Sequence, residues 1–319
     1  MYNVYSINQV NKLIYMKKDK IKVGIIGLGY LGKYHLQKYQ ASNKAIVNAL
    51  ADSSIKKLNE FQVDAVFKTN DYREILEHVD AVSIVTPTIT HYKIAKFFLE
   101  NNKHVLLEKP MTETVQQAKK LNNIAVKNKC VFQIGHLEQF NPAIIKLKGE
   151  LNTPQFIEVH RLCKFNPRAN DVDVVLDLMI HDIDIVLSLI NKKIKNISMS
   201  GKKIITKLID IANVRIEFEE KVVANLTASR ISTKNERKMR IFSNNSYYSI
   251  DFMTNELKKL KKLKNNTFSS KEYKYNKVDT LNEEINNFIN SCNYTDLPMT
   301  SGLDGERALI VAKKISKGL

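Results

Sequence analysis

From Ile21 to Gly135, short apolar runs alternate with amphipathic ones. KVGIIG, AIVNALAD, DAVSIVTP, HVLLEKP and VFQIGH are nearly continuous in Val, Ile, Leu and Ala, as strands covered on both faces require. Between them, LGKYHLQKYQ, SIKKLNEF, DYREILEHV, HYKIAKFFLENN and TVQQAKKLNNIAVKNK carry apolar residues three and four apart, the helical period. Such alternation predicts a parallel sheet wound on both faces. After Phe140 the rhythm changes. FIEVHRL reads as a strand and DVVLDLMIHDIDIVLSLI as a long helix. The strand-like runs ISMSGKKII, NVRIEFEE, VVANLTASR, MRIFSNN and YYSIDFM then follow without helices, which predicts a mainly antiparallel sheet. NEEINNFINSC and DGERALIVAKKIS are helical. The Lys- and Asn-rich segment 258–276 reads as a loop or flexible edge.

The helix from Asp173 to Ile190 combines an apolar composition with Asp173, Asp177, His181, Asp182 and Asp184. A membrane span is disfavoured, because each central Asp costs roughly 2.5–3.5 kcal/mol on insertion. In a buried soluble helix, Asp173, Asp177, His181 and Asp184 fall near one face. Buried charge is costly unless paired or used, so the stripe reads as an active-site wall. Asp182 points away from it, toward a pairing lysine or arginine of the second domain. Asp171 and Asp173 can alternatively serve the helix N-terminus.

The first strand runs into GLGYLG, with Gly27, Gly29 and Gly32 in G-x-G-x-x-G spacing and Tyr30 and Leu31 between them. Gly27 permits a tight turn, Gly29 close approach of a pyrophosphate, and Gly32 tight helix packing. The following helix aims its amides at the phosphates. Asp52 ends the next strand, where a carboxylate accepts from ribose hydroxyls and repels a 2′-phosphate. The expected cofactor is NAD. The expected fold is an α/β Rossmann domain plus an α+β domain with an open, mainly antiparallel sheet. Its parts are an N-terminal extension (1–20), the NAD-binding domain (21–137), and a substrate and oligomerisation domain (138–319).

With 319 residues and a 44% hydrophobic fraction, the chain can build two cores. Cys130, Cys163 and Cys292 make neither a zinc pattern nor a disulfide framework, pointing to a reducing compartment. MYNVYSINQVNKLIYMKKDK lacks the apolar core of a signal peptide. A frayed extension, or a start at Met16, fits it, and a cytoplasmic location is expected. The formal net charge of +17 raises nucleic-acid binding. The lysines are nevertheless dispersed except in KKLKKLKNN, and richness in Lys, Asn and Ile fits coding bias. No nucleic-acid or membrane partner is expected, although a basic surface can steer an anionic substrate. No His, Cys and carboxylate set has metal-ligand spacing, so no metal is expected.

Thr86, Pro87 and Thr88 end one strand, with His91 following; Glu108, Lys109 and Pro110 end the next. The glycine fingerprint, T-P-x-x-x-H, E-K-P and the D-x-x-x-H pair Asp177 and His181, in this order, resemble the glucose–fructose oxidoreductase / inositol dehydrogenase (Gfo/Idh/MocA) family over nearly the whole chain from Ile21. The resemblance implies an NAD-dependent sugar dehydrogenase. Lys109 would contact both cofactor and substrate and steady negative charge on the substrate oxygen. His181 would be the general base, and Asp177 would bond substrate or orient His181. Cofactor contacts would come from Gly27, Gly29, Tyr30, Leu31, Gly32, Asp52, Thr86, Pro87, Thr88, His91, Glu108 and Lys109.

GHLEQFNPA, Arg161 and PRANDVDVVLDLMIHDIDIVLSL look most like bacterial nucleotide-sugar dehydrogenases that oxidise C3 of UDP-N-acetylglucosamine. Those usually carry Arg where Gln139 stands. By that likeness the 3-keto product would pass to a PLP-dependent aminotransferase, for lipid A or another surface glycan. A homodimer or homotetramer would form through the open sheet. His136 is a candidate for substrate or nicotinamide contact, or for a structural role. Arg161 and Arg168 are candidates for the diphosphate, or surface arginines. His35, His78, His104 and His160 read as structural or exposed. The alternatives are another nucleotide sugar, free sugar or inositol as substrate, and a non-catalytic dinucleotide-binding regulator.

Overall fold

The apolar runs of the first half are strands in a computed structural model, which describes residues 20–61, 63, 66–166, 172–264 and 267–319. The extension before residue 20 and Arg168 lie outside the described residues. Strands β1 (Ile21–Ile26), β2 (Ala45–Ala51), β3 (Phe67–Thr69), β4 (Ala81–Ile84), β5 (His104–Leu107) and β6 (Phe132–Ile134) pair in parallel in the order β3-β2-β1-β4-β5-β6. This order places the β1/β4 switch point, where such sheets bind ligands, at the glycine turn. Helices α1 (Tyr30–Ala41), α2 (Ile55–Glu60), α3 (Thr88–Glu100) and α4 (Val115–Lys127) connect strands. DYREILEHV forms a 3-10 helix, Tyr72–His78, rather than an α-helix.

Asn141 caps α5 (Pro142–Glu150), accepting from the Ala143 amide. The second sheet contains β7 (Pro154–Leu162), β8 (Ile194–Lys202), β9 (Ile211–Phe218), β10 (Val223–Ser229), β11 (Glu236–Ser243), β12 (Ser246–Asp251), β13 (Glu256–Lys262) and β14 (Phe268–Lys274). Its order is β14-β13-β12-β11-β7-β10-β9-β8, antiparallel apart from the parallel β7/β10 pair. Segment 258–276 is therefore not a loop: its described part is mostly the β13–β14 hairpin at the sheet edge. Alternation hid it, because lysines occupy both faces of β13.

One face of this sheet buries Ile157, Val159, Leu226, Met239, Ile241 and Ile250 in the core. Across the other, cross-strand neighbours form an apolar row of Val223, Phe156, Phe242, Tyr247 and Leu260. Phe242 and Leu260 are each 40% exposed there.

The long helix is not one regular α-helix. Val175–Met179 is a π-helical turn, followed by α6 (Ile180–Leu189). The Asp173 carboxylate accepts from the Val175 and Leu176 amides, so Asp173 caps the turn. Single π turns are frequent at functional sites, and this one contains Asp177.

Not all of the segment after residue 138 packs with the second sheet. Helix α7 (Thr280–Cys292) returns to the first sheet, where Ile285, Phe288 and Ile289 join Ile21, Val23, Leu36 and Tyr39 in one apolar cluster. Lys38 pairs with Asp279 at 2.5 Å, and Lys44 donates to Asn290 at 2.8 Å. Helix α8 (Gly302–Gly318) presses on β6: a Cβ on Gly305 would come within 2.5 Å of Ile134. The apolar face of α7 thus finds its partner on the first sheet. No helix among the described residues is long and apolar enough to cross a membrane.

Candidate active site

The glycine turn is fixed by sterics. Gly27 has φ +94°, which side chains rarely adopt, and its Cβ would lie 2.5 Å from the Val85 carbonyl oxygen. A Cβ on Gly32 would overlap the Gly27 carbonyl. Open space surrounds the corresponding position on Gly29, and no side chain caps α1. An uncapped helix N-terminus beneath an open backbone fits a pyrophosphate. Gly32→Ala is expected to abolish measurable NAD binding by fluorescence titration, because the helix must retreat from the turn. Wild-type affinity in that variant would contradict the assignment.

Tyr30 and Leu31 flank this turn, 72% and 44% exposed. Asp52 is buried at the end of β2. Its Oδ2 accepts from the Leu28 amide at 2.7 Å and its Oδ1 from Ser54 at 2.9 Å. It thus braces the turn while about half of its roughly four acceptor positions stay available. Thr86 and Pro87 lead into α3, which begins at Thr88, and the Thr86 and Thr90 hydroxyls share a hydrogen bond at 2.7 Å.

Lys109 follows β5 and reaches the π turn, donating from Nζ to the Asp177 carbonyl at 2.9 Å and to its carboxylate at 3.5 Å. His181 lies one turn further along. Burial, then the charges of Lys109 and Arg161, hold its imidazole well below the ordinary range, so the ring is neutral at neutral pH. His136, buried after β6, meets His181 edge-on with ring centroids 6.2 Å apart. Nδ1 of each ring is buried without a hydrogen-bond partner among the described residues. Four sequence candidates, Lys109, His136, Asp177 and His181, therefore converge at the carboxyl end of the parallel sheet.

Others do not reach this point. Arg161 is 3% exposed, and its guanidinium forks onto Asp182 at 2.8–3.0 Å and meets Glu138 at 3.0 Å. Burial opposes its charge, but the two carboxylates outweigh that and keep it ionised. Buried and facing two carboxylates, it is closed to a diphosphate; Asp182 has the second-domain partner expected of it. His91 and Glu108 are buried too. His91 faces the carbonyl oxygens of Pro110 and Thr86, and Glu108 faces His35 at 3.1 Å. Neither is an open cofactor contact. Asp184, counted with the stripe, is bonded to Gln139, whose other end accepts from Lys148 at 2.6 Å.

Residues 21–136 match the model of the oxidoreductase family with NAD-binding Rossmann fold, and 148–248 match the GFO/IDH/MocA C-terminal domain. UDP-N-acetylglucosamine 3-dehydrogenase of Acidithiobacillus ferrooxidans is 37% identical over 240 residues, spanning 74% of this chain and 76% of that protein. The chain belongs to the Gfo/Idh/MocA family. It is an oxidoreductase with an NAD-binding Rossmann domain. Another relative in the family, scyllo-inositol 2-dehydrogenase (NAD(+)) of Bacillus subtilis, is 27% identical over 67% of this chain and 69% of its own. A solved structure of the Acidithiobacillus ferrooxidans enzyme superposes with a TM-score of 0.89 at 32% identity, covering 95% of this chain and 98% of that one. Levoglucosan dehydrogenase in complex with NADH shares the fold, with a TM-score of 0.84 at 17% identity over 94% and 96% of the two chains.

Within this Gfo/Idh/MocA site, sequence reasoning missed Glu138 and Arg237, which approach each other to 3.7 Å beside Arg161. They are far apart in sequence, and although Glu138 lies in GHLEQFNPA nothing in that stretch marks it as the partner of an arginine. Gln139 could be singled out only by its departure from the relatives' Arg. Its amide joins Asp184 to Lys148 of α5.

Proposed function

We propose that this chain oxidises a sugar hydroxyl, with the C3 hydroxyl of UDP-N-acetylglucosamine the preferred substrate. The observation carrying the reading is the convergence of Lys109, Asp177 and His181 at the end of β5. NAD, when bound, would supply a hydride acceptor. The substrate hydroxyl loses its proton to His181, whose neutral imidazole carries one acceptor nitrogen. The Lys109 ammonium steadies the negative charge developing on that oxygen. Asp177 holds Lys109 in place. The carbon gives up hydride and becomes the 3-keto centre. The likeness to the Acidithiobacillus ferrooxidans enzyme supports the choice of sugar.

The 3-keto product is suited to an aminotransferase, for amino-sugar and surface-glycan synthesis in the cytoplasm. The apolar row across the open sheet face suits a homodimer or homotetramer. UDP contacts would come from outside the Arg161 cluster, with Arg168 a candidate.

Mixing the protein with NAD, UDP-N-acetylglucosamine, a PLP-dependent aminotransferase and glutamate should produce NADH absorbance. Turnover of a free polyol with none on any UDP-sugar would rule out the substrate. The pH profile should show an acid limb, because protonating His181 removes the acceptor. Its depressed pKa puts that limb below the ordinary imidazole value of about 6.5. A limb above that value would contradict the role given to His181.

A further inference from the structure

Lys109 has to meet both a cofactor cradled by α1 and α3 and a substrate beside α6, yet it sits in a short connection after β5. What fixes that connection is visible on either side of the sheet. From α1, on one face, His35 spans two strands. Its Nδ1 is 2.8 Å from the Ser83 hydroxyl on β4 and its Nε2 is 3.1 Å from the Glu108 carboxylate. The other oxygen of that carboxylate accepts from the Lys109 amide at 3.3 Å. From α3, on the opposite face, His91 makes the matching span. Its Nε2 is 2.8 Å from the Thr86 carbonyl and its Nδ1 is 2.9 Å from the Pro110 carbonyl.

Both rings are buried, at 0% and 1% exposure. The residues before and after Lys109 are thus each linked to the end of β4 through a buried imidazole, one per face, by hydrogen bonding at His35 and by packing plus one hydrogen bond at His91. The two helices supplying those rings are the ones that begin at the glycine turn and at Thr86-Pro87-Thr88.

We propose that His35 and His91 are positioning residues that hold Lys109 in register with the cofactor cleft. The inference rests on the reading of Lys109 given above. Burial lowers the His91 pKa, against the two carbonyls, so the neutral ring donates to one of them at a time. The Glu108 carboxyl pKa is lowered despite burial, by His35 first and then Lys109 and His91. Glu284 of α7 is buried nearby with both oxygens unpartnered among the described residues. Burial and the Glu108 charge raise its pKa well above the ordinary range, so it is neutral and does not displace Glu108 from His35. Neither histidine touches the reacting atoms; each acts through the segment it holds.

The test uses the full chain carrying His35→Leu or His91→Leu, with His35→Gln and His91→Gln as variants that keep one donor. The first readout needs no ligand: the rate of reductive methylation of Lys109 by formaldehyde and borohydride, followed by mass spectrometry against exposed Lys119. Loss of either tether should free Lys109 and raise its rate several-fold relative to Lys119. The second readout uses whichever sugar the wild type oxidises. Here kcat should fall about 10²-fold, the scale of a 1 Å misplacement, with KM and NAD affinity nearly unchanged and partial recovery in the Gln variants. If the Leu variants do not fold, the Gln variants should still show intermediate values in both readouts. Wild-type methylation and kcat in every folded variant, even with a lowered Tm, would overturn the proposal. Failure of wild type on UDP-N-acetylglucosamine would instead count against the substrate and leave the methylation readout standing.

Discussion

Lys109→Met is expected to lower kcat about 10²–10³-fold, the usual cost of removing one donor aimed at developing charge. The substitution keeps most of the aliphatic stem and removes only the ammonium. That ammonium lies 2.9 Å from the Asp177 carbonyl, on an amine whose side chain is 19% exposed. A loss on the chemical step should therefore come with little change in folding or NAD affinity. NADH formation and NAD fluorescence titration, run on the same preparation, separate the two. Near-wild-type turnover would remove Lys109 from the chemistry.

The second large effect is on stability. Arg161→Met should cost about 3–5 kcal/mol, the range for breaking a buried ion pair by removing one partner. Asp182 would be left without its cation, and Glu138 with only Arg237 at 3.7 Å. In a chain of this size that corresponds to a fall in Tm on the order of 10 °C. The variant should also lose stability as pH rises. Burial already raises the Asp182 pKa against Arg161, and without the guanidinium the folded state holds a proton that the unfolded state releases. Thermal unfolding at several pH values checks both statements. If Arg161 instead served a diphosphate, Tm would hold and KM for a UDP-sugar would rise.

The strands and motifs of the cofactor half were legible because a parallel sheet covered on both faces needs apolar runs, and a glycine turn tolerates few substitutes. The convergence of Lys109 with Asp177 and His181 followed from helical spacing together with the family resemblance. Arg161 was misjudged for a physical reason. A guanidinium suits a phosphate and a buried carboxylate equally well, and only the fold shows that Asp182 and Glu138 arrive first. His91 and Glu108 belong to their motifs by position, yet act on the backbone and on His35. The π turn at Asp177 was invisible, because one widened turn hardly disturbs a 3.6-residue pattern. The β13–β14 hairpin was hidden by lysines on both sides of the strand.

The return of α7 to the first sheet has a topological consequence. The polypeptide passes from the dinucleotide domain to the sheet domain and back, so the two are joined by more than one covalent strand. A fragment ending at the last Rossmann strand would present Tyr39, Leu36 and Val23 to water where Ile285, Phe288 and Ile289 belong. The cofactor half is thus completed only by residues near the chain's other end. Any relative motion of the two halves has to bend more than one connection at once.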